Sequence, residues 1–332
     1  MQPWQPAERS YFYSKPLLQA LLPLAERRAV APHKLLRGCD FELASVAQRQ
    51  HQIHARDWQR IMQNAEQQLA EPQLWQLVAD SCFNERLSPL VDVLHYAPSV
   101  AVALRQFQHY RRLLQPLQFV TVRRCKSHLQ LQFLPTFMPV SAQFSIALLL
   151  TFARRMGIDT SLWQLQLDST TGALPLWHEW LGSIVDAPFC SLTLPLAQLQ
   201  QPLAEADLGE YRQALWFTRM QCAIVPRQPL LQTVVRWLQQ RLQAADDVSL
   251  VELASYLGIS VSSCKRLLSK HGTSFQEVLD QVRLLRLLEL LAEQPYSNGE
   301  LAEQLGYSNS NNFRRACKRW LGVAPDLLRA GL

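Results

Sequence analysis

A nine-residue segment near the carboxyl end of the chain occurs twice, and this duplication constrains the fold more than any other feature. Six of nine positions are identical between residues 252–260 and 300–308, at a constant offset of 48. Each copy carries two leucines four positions apart, an alanine between them, and then a glycine. The leucines predict a short helix with one buried face, and the glycine predicts a left-handed end to that helix. The sequence therefore predicts two helix-turn-helix units, at about 249–271 and 298–320.

The helix expected after each turn is basic and begins with short polar side chains. Ser260 in the first unit, and Asn309 or Ser310 in the second, are suited to cap it. Seven cations and no acidic residue occur in stretches 261–271 and 311–320: Lys265, Arg266, Lys270, Arg314, Arg315, Lys318 and Arg319. These seven charges exceed the net charge of +6 of the whole chain.

Such helices are typical of recognition elements in the major groove of DNA. Amide and hydroxyl side chains at the leading end can reach base edges, Arg can pair bidentately with guanine, and Lys or Arg can neutralise phosphates. The candidate DNA-binding residues are Ser260, Ser262, Ser263, Lys265, Arg266, Lys270, Asn309, Ser310, Asn311, Asn312, Arg314, Arg315 and Lys318. The leucine-rich stretch 276–293 predicts a buried linker helix between the units. It could hold the recognition helices about 34 Å apart, for successive major grooves of promoter DNA.

Residues 249–329 resemble the DNA-binding domain of AraC/XylS-type transcription regulators. The resemblance rests on the paired Glu-Leu-Ala…Leu-Gly units, on Arg283 in the connecting helix, on the segment Phe313-Arg-Arg-Ala-x-Lys318 and on the closing Gly-Val-x-Pro. It implies one helix-turn-helix unit on each side of a linker helix, with both recognition helices in the major groove. Carried over by position, the residues that would face DNA are Ser262, Lys265, Arg266, Asn311, Asn312, Arg314 and Arg315. Four residues depart from the family's usual choice at expected core positions: Cys264, Leu268, Leu287 and Cys317.

The preceding residues predict a separate α+β regulatory domain, 1–225, joined through the proline-containing stretch 225–229 to an all-α DNA-binding domain, 226–332. Helices are expected at 14–28, 57–79, 100–114, near 142–156 and near 208–221. Alternating residues predict a β-hairpin around 125–127, and further strands are expected near 162–167 and 189–194. The hairpin residues expected to face inward are Leu117, Phe119, Leu129, Leu131 and Phe133.

The N-terminal region resembles the long helical, arabinose-binding-like sensor domain of a subgroup of these regulators. The segments that carry the resemblance are Leu35-Leu36-Arg-Gly-Cys39, Ala97-Pro-Ser-Val…Ala-Leu104 and Gln201-Pro-Leu-Ala-Glu-Ala-Asp207. In such relatives this domain binds a small effector, mediates dimerisation, or both. Candidate partners besides DNA are therefore a small-molecule effector, a second copy of the chain and RNA polymerase. Arg123, Arg124 and Lys126 could bind an anionic effector; a solvated hairpin tip is the alternative.

Other classes of function find little support in the sequence. The seven cysteines are scattered singly, which suits a reducing compartment and predicts neither a disulfide framework nor a zinc site. His33, His51 and His54 lack partners at metal-ligand spacing, and the sequence contains neither a nucleophile elbow nor a glycine-rich phosphate loop. We expect no enzymatic activity, cofactor or metal. The longest apolar stretch, 146–153, is far shorter than the roughly 20 residues of a membrane span, so a cytoplasmic protein without membrane contact is expected.

These features together predict a sequence-specific DNA-binding transcription regulator, controlled by a small molecule or partner at its N-terminal domain. Two alternatives stay open. One is a ligand- or partner-binding protein in which DNA binding is secondary, and the other is a constitutive DNA-binding protein of low specificity. Activation of transcription is the expected outcome, although the sequence alone does not distinguish activation from repression.

Overall fold

A computed structural model describes residues 11–13, 15–42, 52–114, 120–133, 139–167, 173–187, 190–224, 230–244, 246, 248–270, 273–293, 296–321 and 325. The chain divides into two compact units, Tyr11–Pro226 and Arg227–Leu332. The first unit is α+β and the second is helical, which confirms the predicted fold class.

Ten α-helices occur in the described part of the N-terminal unit. They are α1 (Lys15–Arg27), α2 (Pro32–Leu35), α3 (Ala55–Leu69), α4 (Leu74–Asn84), α5 (Pro89–His95), α6 (Val100–Tyr110), α7 (Pro139–Arg155), α8 (Trp177–Trp180), α9 (Leu196–Leu199) and α10 (Leu208–Ile224). The single helix predicted over 57–79 is wrong, because the stretch forms α3 and α4. Ala70 adopts a left-handed φ of 45° after α3, and Pro72 follows, so the helix cannot continue.

The main sheet of this unit has five strands in the order β3-β4-β7-β5-β6. The strands are β3 (Val120–Arg124), β4 (His128–Phe133), β5 (Gln164–Leu167), β6 (Ser183–Asp186) and β7 (Cys190–Pro195), and only β5 and β6 pair in parallel. A separate antiparallel pair joins β1 (Tyr11–Tyr13) to β2 (Gln52–His54). Three of these strands, β1, β2 and β6, are not predicted from the sequence.

The predicted hairpin is present as β3 and β4, but the buried residue of its first strand is Val120, which the prediction did not place in the core. Val120 pairs with Phe133 and Val122 with Leu131, so both lie on the face of the buried residues of β4, although Val122 is 40% exposed. The prediction had assigned the odd-numbered residues of this strand to that face; Leu117 and Phe119 themselves lie outside the described residues. On β4 the prediction holds, because Leu131 and Phe133 are buried and Leu129 is half-buried. Both alternations of 117–123 contain apolar side chains, so the sequence did not specify the register.

Helix α7 supplies much of the N-terminal core and packs against α4. A buried polar side chain at this contact is fully engaged. Gln76 Nε2 donates to Thr151 Oγ1 at 2.7 Å, and Trp177 Nε1 donates to Gln76 Oε1 at 3.2 Å. These bonds offset the cost of burying the amide and fix α4, α7 and α8 against one another.

The C-terminal unit is built from six helices in its described part. They are α11 (Leu230–Gln243), α12 (Leu250–Leu257), α13 (Val261–Lys270), α14 (Phe275–Glu293), α15 (Asn298–Gln304) and α16 (Ser310–Leu321). Helix α14 is the predicted linker helix and buries Val282, Leu287 and Leu290. Helix α11 is not among the helices predicted from the sequence, and it packs against α14.

Across the described residues of both units, no helix is long and apolar enough to cross a membrane.

Candidate nucleic-acid interface

The first helix-turn-helix unit consists of α12, a glycine turn and α13. Ser249 Oγ accepts a hydrogen bond from the Glu252 N–H at 3.2 Å and so caps α12. The helix buries Leu253, Ala254 and Leu257. It ends at Gly258, whose φ of 68° and ψ of 34° are left-handed as predicted.

The second unit, α15 to α16, repeats this turn with a stronger cap. The Ser297 hydroxyl accepts from the Glu300 N–H at 3.3 Å, and the Glu300 carboxylate accepts from the Ser297 N–H at 2.7 Å. This reciprocal capping box holds the pKa of Glu300 below its ordinary value. Gly306 has the same φ of 68° as Gly258, and the next amide, that of Tyr307, donates to the Ala302 carbonyl at 2.8 Å.

Both recognition helices begin at a capped residue. Ser260 Oγ accepts from the Ser263 N–H at 3.2 Å and lies 2.9 Å from the Ser263 hydroxyl. Asn309 Oδ1 accepts from the Asn312 N–H at 2.9 Å. Of the two candidates named from the sequence, Asn309 is therefore the cap and Ser310 is the first residue of α16.

Each recognition helix has one buried face and one polar face. The buried residues are Cys264, Leu267 and Leu268 on α13, and Phe313, Ala316 and Cys317 on α16. The exposed residues are Ser262, Lys265 and Arg266 on α13, and Asn311, Asn312, Arg314, Arg315 and Lys318 on α16. Ser263 and Ser310 are half-buried, and the Lys270 side chain lies outside the described residues. The candidate DNA-contact residues thus lie on the exposed faces or at the N-terminal ends of the two recognition helices, wherever the structure describes their exposure.

The exposed cations of the two helices keep their charges available. Within the described part of the chain, no acidic side chain forms an ion pair with Lys265, Arg266, Arg314, Arg315 or Lys318. An uncompensated row of Lys and Arg is what attracts a polyanion such as nucleic acid.

Arg319 differs from these cations, because it is used inside the domain. Its Nη2 atom lies 2.6 Å from Asp280 Oδ2 on α14. Arg283, also on α14, donates to the Gly306 carbonyl at 2.9 Å, and its guanidinium lies 4.3 Å from the centre of the Tyr307 ring. These three contacts fix the second unit to the linker helix. The sequence alone places Arg319 with the recognition-helix charges, because its partner Asp280 is 39 residues away along the chain.

The first unit is fixed instead by α11. Arg241 lies 3.0 Å from both the Glu252 and Asp246 carboxylates, and the Trp237 ring stacks on Tyr256 with 5.9 Å between ring centres. Glu252 is the residue of the first copy that corresponds to Glu300 in the second. Its carboxylate pairs with Arg241 of α11 rather than closing a capping box. The signal for α11 in the sequence was the apolar spacing of Leu230, Val234 and Leu238.

The two cysteines on the recognition helices are packing residues. Burial raises the pKa of the Cys317 thiol to about 12 and also raises that of Cys264. Both side chains are buried, so these departures from the family's usual residues fill core positions, as expected.

The candidate effector residues lie at the hairpin of the N-terminal unit. Arg124 and Lys126 are exposed, and the Arg123 side chain lies outside the described residues. The described residues include no group of three or more His, Cys, Asp or Glu side chains that could hold a metal ion. His33 is exposed, while His51 and the side chain of His54 lie outside the described part.

Comparison with known proteins agrees with the geometry of the C-terminal unit. Residues 253–331 match a family described as a helix-turn-helix domain. The ornithine utilization regulator of Pseudomonas aeruginosa is 33% identical over 141 residues, which are 42% of this chain and 41% of that protein. The transcriptional regulator VqsM of the same organism is 28% identical over 163 residues, 47% of this chain and 46% of its own. This chain therefore spans less than half the length of the curated relatives that it matches.

Among solved structures, the transcriptional regulator CdpR from Pseudomonas aeruginosa is similar over 95% of this chain and 98% of its own, with 20% identity and a TM-score of 0.46. The DNA-binding domain of AdpA, solved with a target DNA, is 28% identical, with a TM-score of 0.27, and covers 30% of this chain and 90% of its own. The sequence match and the duplicated turns identify the C-terminal unit as an AraC-type helix-turn-helix domain.

Proposed function

We propose that this protein is a sequence-specific DNA-binding transcription regulator that inserts α13 and α16 into successive major grooves of promoter DNA. The observation that carries the proposal is the pair of matched recognition helices, each with an exposed, acid-free face; apart from Arg319, which pairs with Asp280, the cations whose side chains are described have no ion-pair partner among the described residues. A single helix-turn-helix unit is sometimes only a packing motif. Two helices joined by a buried linker helix form a double docking surface.

The residues divide into base-reading and phosphate-binding roles. Asn311, Asn312 and Arg315 lie in the first half of α16, where side chains reach base edges, so amide-to-adenine and Arg-to-guanine pairs are the proposed contacts. Arg266 takes the equivalent place on α13. Lys318, farther along α16, is a proposed phosphate contact, as is Lys270 on α13. The caps Ser260 and Asn309 hold the positive end of each helix at the groove.

The N-terminal unit is proposed to control this docking. A small-molecule effector, a second copy of the chain and RNA polymerase are the partners that we propose for it, with activation as the outcome. The curated relatives are named regulators, VqsM among them a transcriptional regulator, and the matching RhaS proteins of Salmonella are named transcriptional activators. The proposed role is regulatory rather than enzymatic, in the cytoplasm.

The test is selection of DNA sites by the full-length chain, followed by affinity measurements at several salt concentrations. We expect enrichment of a discrete sequence and a logarithmic salt slope of about −0.9 for each phosphate neutralised. The double variant Arg266→Ala/Arg315→Ala should lose the preference for that sequence. The matched control is Arg27→Ala, which removes an exposed cation from α1. Enrichment of no sequence, or affinity that is independent of salt, would overturn the proposal.

A further inference from the structure

The linker helix α14 carries two acidic residues on one face near its start. Glu277 and Asp280 are three positions apart, so they are neighbours on the surface of the helix. Each forms contacts with a different helix-turn-helix unit, and in both cases the contact lies close to the C-terminal end of the recognition helix. These two carboxylates are the feature from which the inference starts.

Glu277 fixes the connection that follows α13. Its Oε2 atom accepts hydrogen bonds from the Thr273 hydroxyl at 3.1 Å and from the Ser274 N–H at 2.7 Å. Thr273 is buried, and its own N–H donates to the carbonyl of Leu268 on α13 at 3.1 Å. A continuous set of hydrogen bonds therefore joins the C-terminal half of α13 to the first turn of α14.

Asp280 fixes the last turn of α16. Its Oδ2 atom lies 2.6 Å from Arg319 Nη2, and its Oδ1 atom accepts a hydrogen bond from Gln276 Nε2 at 2.8 Å. Both carboxylate oxygens are therefore engaged, and the Asp280 side chain is only 16% exposed. A carboxylate held in this way fixes the position of the guanidinium that it binds. The C-terminal end of α16 is thus attached to α14 within one helical turn of the attachment of α13.

We propose that Glu277 and Asp280 are positioning residues, which set the distance and the angle between the two recognition helices and so determine the spacing of the sequence blocks that the protein accepts. Neither carboxylate contacts DNA in this proposal, because like charge repels phosphate.

The effect of such positioning on DNA binding follows from the geometry of the duplex. Inserting one base pair between two blocks moves one block by about 3.4 Å along the duplex and rotates it by about 35°. Two recognition helices held rigidly can meet both blocks at one spacing only. Loosely held helices accept neighbouring spacings, but they lose more conformational entropy on binding. The two acidic residues should therefore sharpen the preference for one spacing while leaving the bases read within each block unchanged.

The inference rests on the proposed function, and its test measures spacing rather than affinity alone. The affinity of the full-length chain is measured for its selected site and for the same site with one base pair added or removed between the blocks. The wild type should prefer the selected spacing by at least about tenfold, whereas Asp280→Asn and Glu277→Ala should each reduce that preference to about threefold or less. The matched control is Glu303→Gln, which neutralises an exposed carboxylate on α15 that has no ion-pair partner among the described residues. It should keep the preference of the wild type.

A charge reversal tests the ion pair itself. Asp280→Arg should lose the spacing preference, and the added substitution Arg319→Asp should restore it, because the pair forms again with its charges exchanged. A purely structural role would lower the affinity for every spacing by the same factor, and that result would overturn the proposal.

The outcomes also separate this inference from the proposed function. A wild type that selects no pair of sequence blocks would overturn both. A wild type that selects two blocks but binds all three spacings equally would overturn only the positioning role, as would Asp280→Asn and Glu277→Ala variants that keep the preference of the wild type.

Discussion

The two helix-turn-helix units share one turn but are stabilised by different neighbours. Gly258 and Gly306 have the same left-handed φ of 68°. The first unit is fixed to α11 through Arg241, whereas the second is fixed to α14 through Arg283 and Arg319. The comparison shows that duplication preserved the backbone turn, which only glycine adopts without strain, while the surrounding ion pairs diverged.

The units also differ in what they present to DNA. The leading end of α16 exposes two amides and two arginines, whereas α13 exposes a serine, one lysine and one arginine. Because amide and guanidinium groups form bidentate pairs with bases, the second unit should contribute more to sequence preference. The first unit should read its own bases with a weaker preference and contribute relatively more to affinity.

The largest expected difference between the units lies in their cores. Phe313 is fully buried at the position where the first unit has Cys264. Phe313→Ala should destabilise the second unit by about 3–5 kcal/mol, because it leaves a large cavity. Cys264→Ala removes one sulfur atom and should cost far less. Urea unfolding of the full chain, with hydrogen exchange of residues 249–270 for Cys264→Ala and of residues 296–321 for Phe313→Ala, measures the two costs, and equal costs would contradict the comparison.

The next effect concerns DNA affinity. Arg315→Ala should weaken specific binding by about 1–3 kcal/mol if the side chain pairs with guanine. Arg266→Ala should reduce affinity with less change in sequence preference. Fluorescence anisotropy against the selected site and its single-base variants separates the two effects. If Arg266→Ala relaxed the preference more than Arg315→Ala did, the assignment of base reading to the second unit would be wrong.

A smaller loss of stability is expected when the glycine of either turn is replaced by alanine. A Cβ added at Gly306 would have its nearest neighbour, Arg283 Nη2, at 3.5 Å, so alanine fits the space and only the left-handed backbone is strained. Gly306→Ala should therefore cost about 1–2 kcal/mol, and the same backbone strain applies to Gly258→Ala. Thermal unfolding checks both variants. Gly306→Asn should be milder, because asparagine tolerates this backbone region better.

The smallest expected effect is the pH response of the capping box. The hydrogen bonds from Ser297 hold the pKa of Glu300 below its ordinary value of 4.5, so the folded state binds fewer protons than the unfolded state. The resulting stability is complete above the ordinary pKa and is lost as the pH falls through the folded pKa. Hydrogen exchange at the start of α15, measured from pH 6 down to about pH 3, should show this loss in the wild type. Glu300→Gln should show less of it; an identical profile would contradict the capping role.

The turns and the polar faces of the recognition helices could be predicted from sequence because they depend on local chemistry. A glycine that directly follows the second of two leucines four positions apart, or a serine before a basic stretch, specifies its own backbone. The contacts of Arg319 and Arg241 could not be predicted, since their partners are set by tertiary packing. The register of β3 was equally inaccessible, because Phe119 and Val120 offer apolar side chains on both alternations.

The most direct test of the central claim is the spacing of the bases read by the two helices. The full-length chain is used to select DNA from a random library, and the selection is repeated with Arg266→Ala and with Arg315→Ala. Two recognition helices in successive major grooves predict two sequence blocks about 10–10.5 base pairs apart, with each variant relaxing a different block. A single block, or the same block relaxed by both variants, would contradict docking of both helices.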